Sequence, residues 1–359
     1  MTRRLAVAAA VVALVASGAW LALRPANAPD AQQASPPAAA AGASRGGAAA
    51  PSIVERAEAT SALAMTRPQE PVRRTLFGEY LASPQYLALY ERLKATPEGE
   101  TPQGRLVMYE ILRECATVNG GVPWPFAPRR WNQPKRDEFI AGIAGTDPLR
   151  ERRIAAYDRF NADRCAGLSG VTISQEDLFK LLKDSAAGGE PAARALAVEQ
   201  DLWAARRASG TRTASPSDQQ IGALEEAASS RDPEAIRVAG RVLANGWSDY
   251  ALRMGTEELP VEPRAFVNAF LVLACEYGAP CGADTPRMLQ ACALQGHCDA
   301  QSFPEYLAYY GSTPHDSTLL MQYRSIIRTA IESGDWSQLR ILRGQPQASN
   351  RPTFIPGPR

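Results

Sequence analysis

Two stretches 42 residues apart decide the fold: LLKDSAAGGEPAARALA, Leu181 to Ala197, and ALEEAASSRDPEAIRVA, Ala223 to Ala239. In each, a helix ending in small residues leads through an acidic residue and a proline into a second helix. Pro191 and Pro233 stand in the first turn of that second helix, where a missing N–H removes no intrahelical bond. Asp147-Pro148 recurs 43 residues before Pro191, with helical sequence on both sides. A period near 40 residues suits helix hairpins stacked in series, whose small residues let neighbours pack closely.

The surrounding sequence agrees. Val107, Ile111 and Cys115 share one face of a segment starting near Pro102, as an amphipathic helix requires. Ser174 with Asp177 three residues later marks a helix start. Ala265 to Gly278 (AFVNAFLVLACEYG) is apolar nearly all round and ends on a glycine, the pattern of a buried helix with its C-cap. No stretch sustains strand-like alternation between hairpin turns. The fold class is all-α: a helical bundle or a short α-solenoid of helix hairpins with disulfides.

The paired stretches resemble the small-residue core of Sel1-like and tetratricopeptide-type repeat proteins. The resemblance covers roughly a quarter of the chain and lacks the glycine and tyrosine spacing of those repeats. It implies an extended helical surface for binding partners, with no catalytic residues to carry over. The alternative is an irregular bundle whose similar segments reflect alanine-rich composition.

The N-terminus reads as a targeting segment. Arg3 and Arg4 precede an uncharged run from Leu5 to Leu23, closed by Arg24 and Pro25. The positive charges stay in the cytoplasm and the rest is sent across the membrane. Ala26-Asn27-Ala28 fits a peptidase site except for the following Pro29; Ser17-Gly18-Ala19 is a second candidate. The uncharged run approaches the roughly 20 residues that span a bilayer, which favours a retained anchor. The expected organisation is a signal peptide or signal anchor over 1–24 and an Ala/Pro-rich linker over 25–68. A helical domain then covers 69–343, followed by a disordered tail over 344–359. The linker has too little to bury to offset its ordering entropy. The expected location is the periplasm, at the inner membrane through residues 5–23.

Six cysteines in an exported chain imply disulfides. Cys275 and Cys281, then Cys292 and Cys298, form two similar units at helix ends, each suited to a local bridge. Four cysteines allow three pairings, so this is a preference. Cys115 and Cys165 would join two helices across a long loop, worth about 4 kcal/mol of loop entropy against about 2 for each short loop. A zinc site built from the four clustered cysteines and His297 is the competing reading. Its five-residue gaps exceed the usual two to four, and the expected metal is none.

Composition narrows the chemistry. A net charge of +1 over 359 residues gives no field for nucleic acid. The only histidines are His297 and His315, which restricts general-base arrangements. No motif for a phosphate loop, a zinc protease or a hydrolase elbow is present, and no cofactor is expected. Glu332-Ser333, in RTAIESGDW, resembles the Glu-Ser signature of lysozyme-like lytic transglycosylases, which implies Glu332 as a single acid/base cleaving peptidoglycan. The family's long downstream domain and Gly-Leu-Met-Gln segment are missing, and an ordinary helix end gives the same residues. The stretch GGVPWPFAPRRWNQPKR, Gly120 to Arg136, holds Trp124, Phe126 and Trp131 among Arg129, Arg130, Lys135 and Arg136. Rings beside guanidinium groups suit a glycan, an acidic partner or an anionic headgroup; the alternative is a loop pinned to the helices by its aromatics. The leading expectation is a non-catalytic envelope interaction or scaffold protein whose partner is an envelope protein or glycan. A peptidoglycan-cleaving enzyme is the rival.

Overall fold

The computed structural model describes residues 75–119, 135–168, 170–209, 215–244, 250–256 and 259–343. The chain divides into two units, 1–49 and 50–359, and every described residue belongs to the second. The targeting segment, the linker and the tail lie outside the described residues. Among the described residues no helix is long and apolar enough to cross a membrane.

The fold is all-α. Two short helices, α1 (Leu76–Ala82) and α2 (Leu87–Ala95), pack on α3 (Pro102–Cys115). After α4 (Arg136–Ala141) and α5 (Arg150–Phe160) come two hairpins. The first is α6 (Gln175–Ala187) with α7 (Pro191–Ser209); the second is α8 (Asp218–Ser229) with α9 (Pro233–Ala244). The chain continues through α10 (Pro263–Glu276), α11 (Pro286–Gln295), the single turn α12 (Phe303–Tyr306) and α13 (Pro314–Ser333). Contacts run in series: α3 on α6, α6 on α7, α7 on α8 and α9, α9 on α10, and α10 on α13, which returns to α8.

Small residues explain the close series. Ala192, Ala193, Ala195, Ala228, Ala235 and Ala239 are wholly enclosed. Gly240 lies so near Phe270 of α10 that an added Cβ would collide with the ring. Pro191 and Pro233 both begin their helices, as the repeat requires. The predicted caps are present as well: Ser174 accepts from the Asp177 N–H at 3.0 Å. Gly278, φ 109°, stands one residue past the Tyr277 cap of α10.

Asp147-Pro148 does not open a third hairpin of the series. α5 begins at Arg150, with Asp147 accepting from the Leu149 N–H at 2.8 Å, and it packs on α11 instead. There Phe139, Ile143, Ala156, Tyr157, Leu289 and Ala293 form a small core apart from the main one. Asp-Pro marks where a helix can start but not which neighbour it finds.

Short strands add to the helices. β1 (Thr117–Asn119) pairs in parallel with β2 (Thr172–Ser174). β3 (Tyr250–Met254) pairs antiparallel with β4 (Leu259–Pro260) and with β5 (Leu339–Arg343), Leu252 facing Ile341. Arg343 then donates to the Pro216 carbonyl at 3.0 Å, and the Trp336 indole N–H to Ser229 at 3.0 Å. The end of the described chain is thus fastened to the second hairpin.

Candidate functional site

Three disulfides are closed, Cys115–Cys165, Cys275–Cys281 and Cys292–Cys298, with Cα separations of 5.2, 5.7 and 4.2 Å. The two local bridges each cross the end of a helix, α10 and α11. Cys115 is the last residue of α3, while Cys165 lies in the turns after α5 and not on a helix. With every sulfur bonded, the cysteines offer no thiolate to a metal, and no cluster of metal-ligating side chains occurs among the described residues.

Trp124, Phe126, Arg129, Arg130 and Trp131 lie outside the described residues. The segment that carries them leaves β1, whose Asn119 is paired with Ser174, and enters α4 at Arg136. Arg136 grips Asp158 with two bonds, 2.6 and 2.9 Å.

Glu332 occupies the last turn of α13, exposed to solvent. Its carboxylate accepts from the Tyr277 hydroxyl at 3.4 Å. Gly334, φ 75°, caps the helix in the left-handed conformation, and the Asp335 N–H donates to Ser333 at 3.1 Å. This is the local chemistry of a helix end.

A different surface stands out. After α12 the chain makes a π-helical turn, Leu307–Gly311, an irregularity often found where function requires a reoriented side chain. Gly311 there packs so closely on Leu307 and Tyr306 that an added Cβ would push their side chains aside, and its carbonyl accepts from Arg264 of α10 at 2.8 Å. The turn lifts Tyr309 and Tyr310 out of the core, 56% and 45% exposed. Tyr310 stacks on His297, centroids 4.3 Å apart and planes within 18°. Tyr306 lies beside this pair, its ring 5.8 Å from His297 and its hydroxyl bonded to Gln295 at 2.8 Å. His297 sits inside the Cys292–Cys298 loop, so a covalent staple holds one member of the shelf. Leu294, 41% exposed, stands on the same helix end.

A cavity of about 600 Å³ lies elsewhere, lined by Thr75, Glu98, Thr101, Gln103, Gly189 and Glu190 among others. Burial pushes the Glu190 carboxyl up to about 7, with the Asp232 charge adding to it. Asp232, also raised by burial, is the residue 42 positions on. The two are therefore equivalent cap positions of consecutive hairpins. Asp232 accepts from the Ala235 N–H at 2.7 Å. Serial stacking places like charges on one edge, and the Asp232 charge then disfavours ionisation of Glu190.

The same spacing generates a favourable pair. Glu199 of α7 and Arg241 of α9, again 42 apart, form two bonds of 2.9 and 2.6 Å. With Glu110 and Arg113 of α3, and Glu234 and Arg237 of α9, they make a polar cluster inside the series. Sequence reading named neither this cluster nor the tyrosine shelf.

Comparison with known proteins finds no matching family model, curated protein or solved structure.

Proposed function

We propose that the chain is an exported, non-catalytic interaction or scaffold module of the bacterial envelope. In this reading residues 5–23 hold it at the inner membrane and the helical domain faces the periplasm, where it binds an envelope protein or a glycan. The stacked hairpins fit the repeat-protein resemblance, since such arrays bind through extended helical surfaces. Three closed disulfides support an oxidising compartment.

The observation that carries the reading is the shelf of Tyr306, Tyr309, Tyr310 and His297. Large rings held in fixed positions yet left in water lose hydrophobic free energy that a partner restores on binding. Stapling His297 and packing Gly311 limit the ordering entropy lost on binding, which favours affinity. The exposed Glu332, at a helix end and outside such a surface, lends a cleavage role no support.

A photoreactive residue in place of Tyr309 tests this in cells, with one in place of the exposed Glu91 as control. A discrete adduct from position 309 and none from 91 is expected, and Tyr310→Ala should reduce it. The same pattern from both positions, or no adduct, contradicts the reading.

A further inference from the structure

The tyrosine shelf is too small for a protein partner. Tyr309 and Tyr310, half exposed each, leave the equivalent of about one whole tyrosine open, roughly 150–250 Å². Among the described residues the only other exposed large apolar side chains are Leu294 and Leu87, the latter on α2. A stable protein interface takes roughly 800 Å² from each partner. The open area suits a ligand no larger than one or two sugar rings.

Charge narrows the ligand further. The π-helical turn LAYYG, Leu307 to Gly311, contains no Asp, Glu, Lys or Arg. Neither does ALQGH, the loop that the Cys292–Cys298 bridge encloses. Asp299, which follows that loop, is held by Arg152 at 2.6 Å. These two segments therefore offer an ionic ligand no counter-charge.

Their polar groups are neutral and form hydrogen bonds. Tyr306, its ring 6.4 Å from that of Tyr310, donates its hydroxyl to Gln295 Oε1 at 2.8 Å. Gln295 is exposed, and with its oxygen engaged it offers chiefly its two amide N–H donors. The exposed Tyr309 and Tyr310 add phenolic hydroxyls, which both donate and accept. Leu294, next to Gln295 in the loop, adds a small apolar contact.

We propose that the shelf binds a neutral glycan strand of N-acetylated amino sugars, an assignment that rests on the shelf being the binding surface of the chain. A pyranose ring with equatorial substituents shows a face of axial C–H bonds, which lies on the open tyrosine rings through weak C–H contacts. The acetamido carbonyl accepts from the Gln295 amide, and its methyl packs on Leu294. The ring hydroxyls bond the tyrosine hydroxyls. The Cys292–Cys298 bridge restrains His297, on which Tyr310 stacks, so the platform is formed before the sugar arrives.

Titration calorimetry on the oxidised full chain tests this with the N-acetylglucosamine tetramer, with cellotetraose and with choline. Saturable binding of the tetramer is expected, weakened about tenfold by Tyr310→Ala through loss of one stacked ring. Gln295→Ala should weaken the tetramer and leave cellotetraose, bound less tightly, unchanged. Glu91→Gln should change nothing, and circular dichroism should show both shelf variants folded. No binding of the tetramer, binding indifferent to Tyr310→Ala, or equal binding of cellotetraose or choline would overturn the proposal. If the tetramer fails while a photoreactive residue at position 309 still captures a protein, the glycan assignment falls and the shelf remains a binding surface. If both fail, both readings fall.

Discussion

The hairpin series α6–α9 and the α4–α5 pair are both helical and both carry an acid-proline signal, yet they are held by different forces. The series is close-packed through alanine and Gly240, with its charges paired inside. The core of the α4–α5 pair has only six buried apolar residues, two of them from α11. Polar contacts bind it instead: Arg152 to Asp299 at 2.6 Å, and Arg153 to the Ala293 carbonyl at 3.0 Å and to Asp147 at 2.7 Å. Arg159 reaches Asp284, but both side chains are more than half exposed, so that pair contributes little. The lesson is that stability concentrates where small residues admit close packing. The α4–α5 pair should open first, in the manner of a low-stability folding unit.

Cys115–Cys165 ties α3, which packs on α6 of the series, to the turns after α5. Its removal as Cys115→Ser with Cys165→Ser should give the largest effect, about 4 kcal/mol. Denaturant midpoints measure it, and the loss should exceed that for either local bridge. If a local bridge matters as much, the tie is not what joins the regions.

Within the series, Gly240→Ala forces a methyl into the Phe270 ring and should destabilise by about 1–3 kcal/mol. Gly222→Ala in α8, where a Cβ meets nothing within 4 Å, should instead stabilise by about 0.5–1 kcal/mol. Equal effects would refute close packing as the distinguishing feature.

Glu190 sharpens the comparison through pH. Its folded pKa is about 7 against an ordinary 4.5, so the folded state holds the proton more tightly than the unfolded chain. The stability is fully present below about 4.5 and is lost as pH rises through about 7. The depressed carboxyls, Asp147 and Asp158 among them, act below 3.8 and outside this window. Between pH 4.5 and 7, Glu190→Gln should remove a decline of about 1–3 kcal/mol seen in the parent chain. An unchanged slope would show that burial at the stacked cap does not raise Glu190.

Arg153→Ala should have the smallest global effect, because it loosens only the α5–α11 contact. Local opening should become easier by about 1–2 kcal/mol. Hydrogen exchange should then speed up in α5 and stay unchanged in α9. Equal acceleration in both would mean the two regions unfold as one.

Much of the series was legible because its signals are local. Pro191, Pro233, Ser174 and Gly278 each act on their own turn of chain, and the cysteine units close across single helix ends. The period also sets long-range contacts: residues 42 apart are neighbours in stacked hairpins, which pairs Glu199 with Arg241 and sets Glu190 beside Asp232. Other features depend on distant partners. β3 is paired along its whole length because Leu339–Arg343 reaches it from far along the chain. The tyrosine shelf depends on which rings the rest of the fold leaves uncovered, so YLAYYG by itself does not separate Tyr309 from the buried Leu307. The binding expectation for Trp124, Phe126, Arg129, Arg130 and Trp131 rests on residue type, and these residues lie outside the described ones.

The central claim, an oxidised exported domain, is tested most directly by alkylating thiols in intact cells and counting labels before and after reduction. No label before reduction and six after it is the predicted result. Free thiols at Cys115 or Cys165 in freshly trapped protein would contradict it.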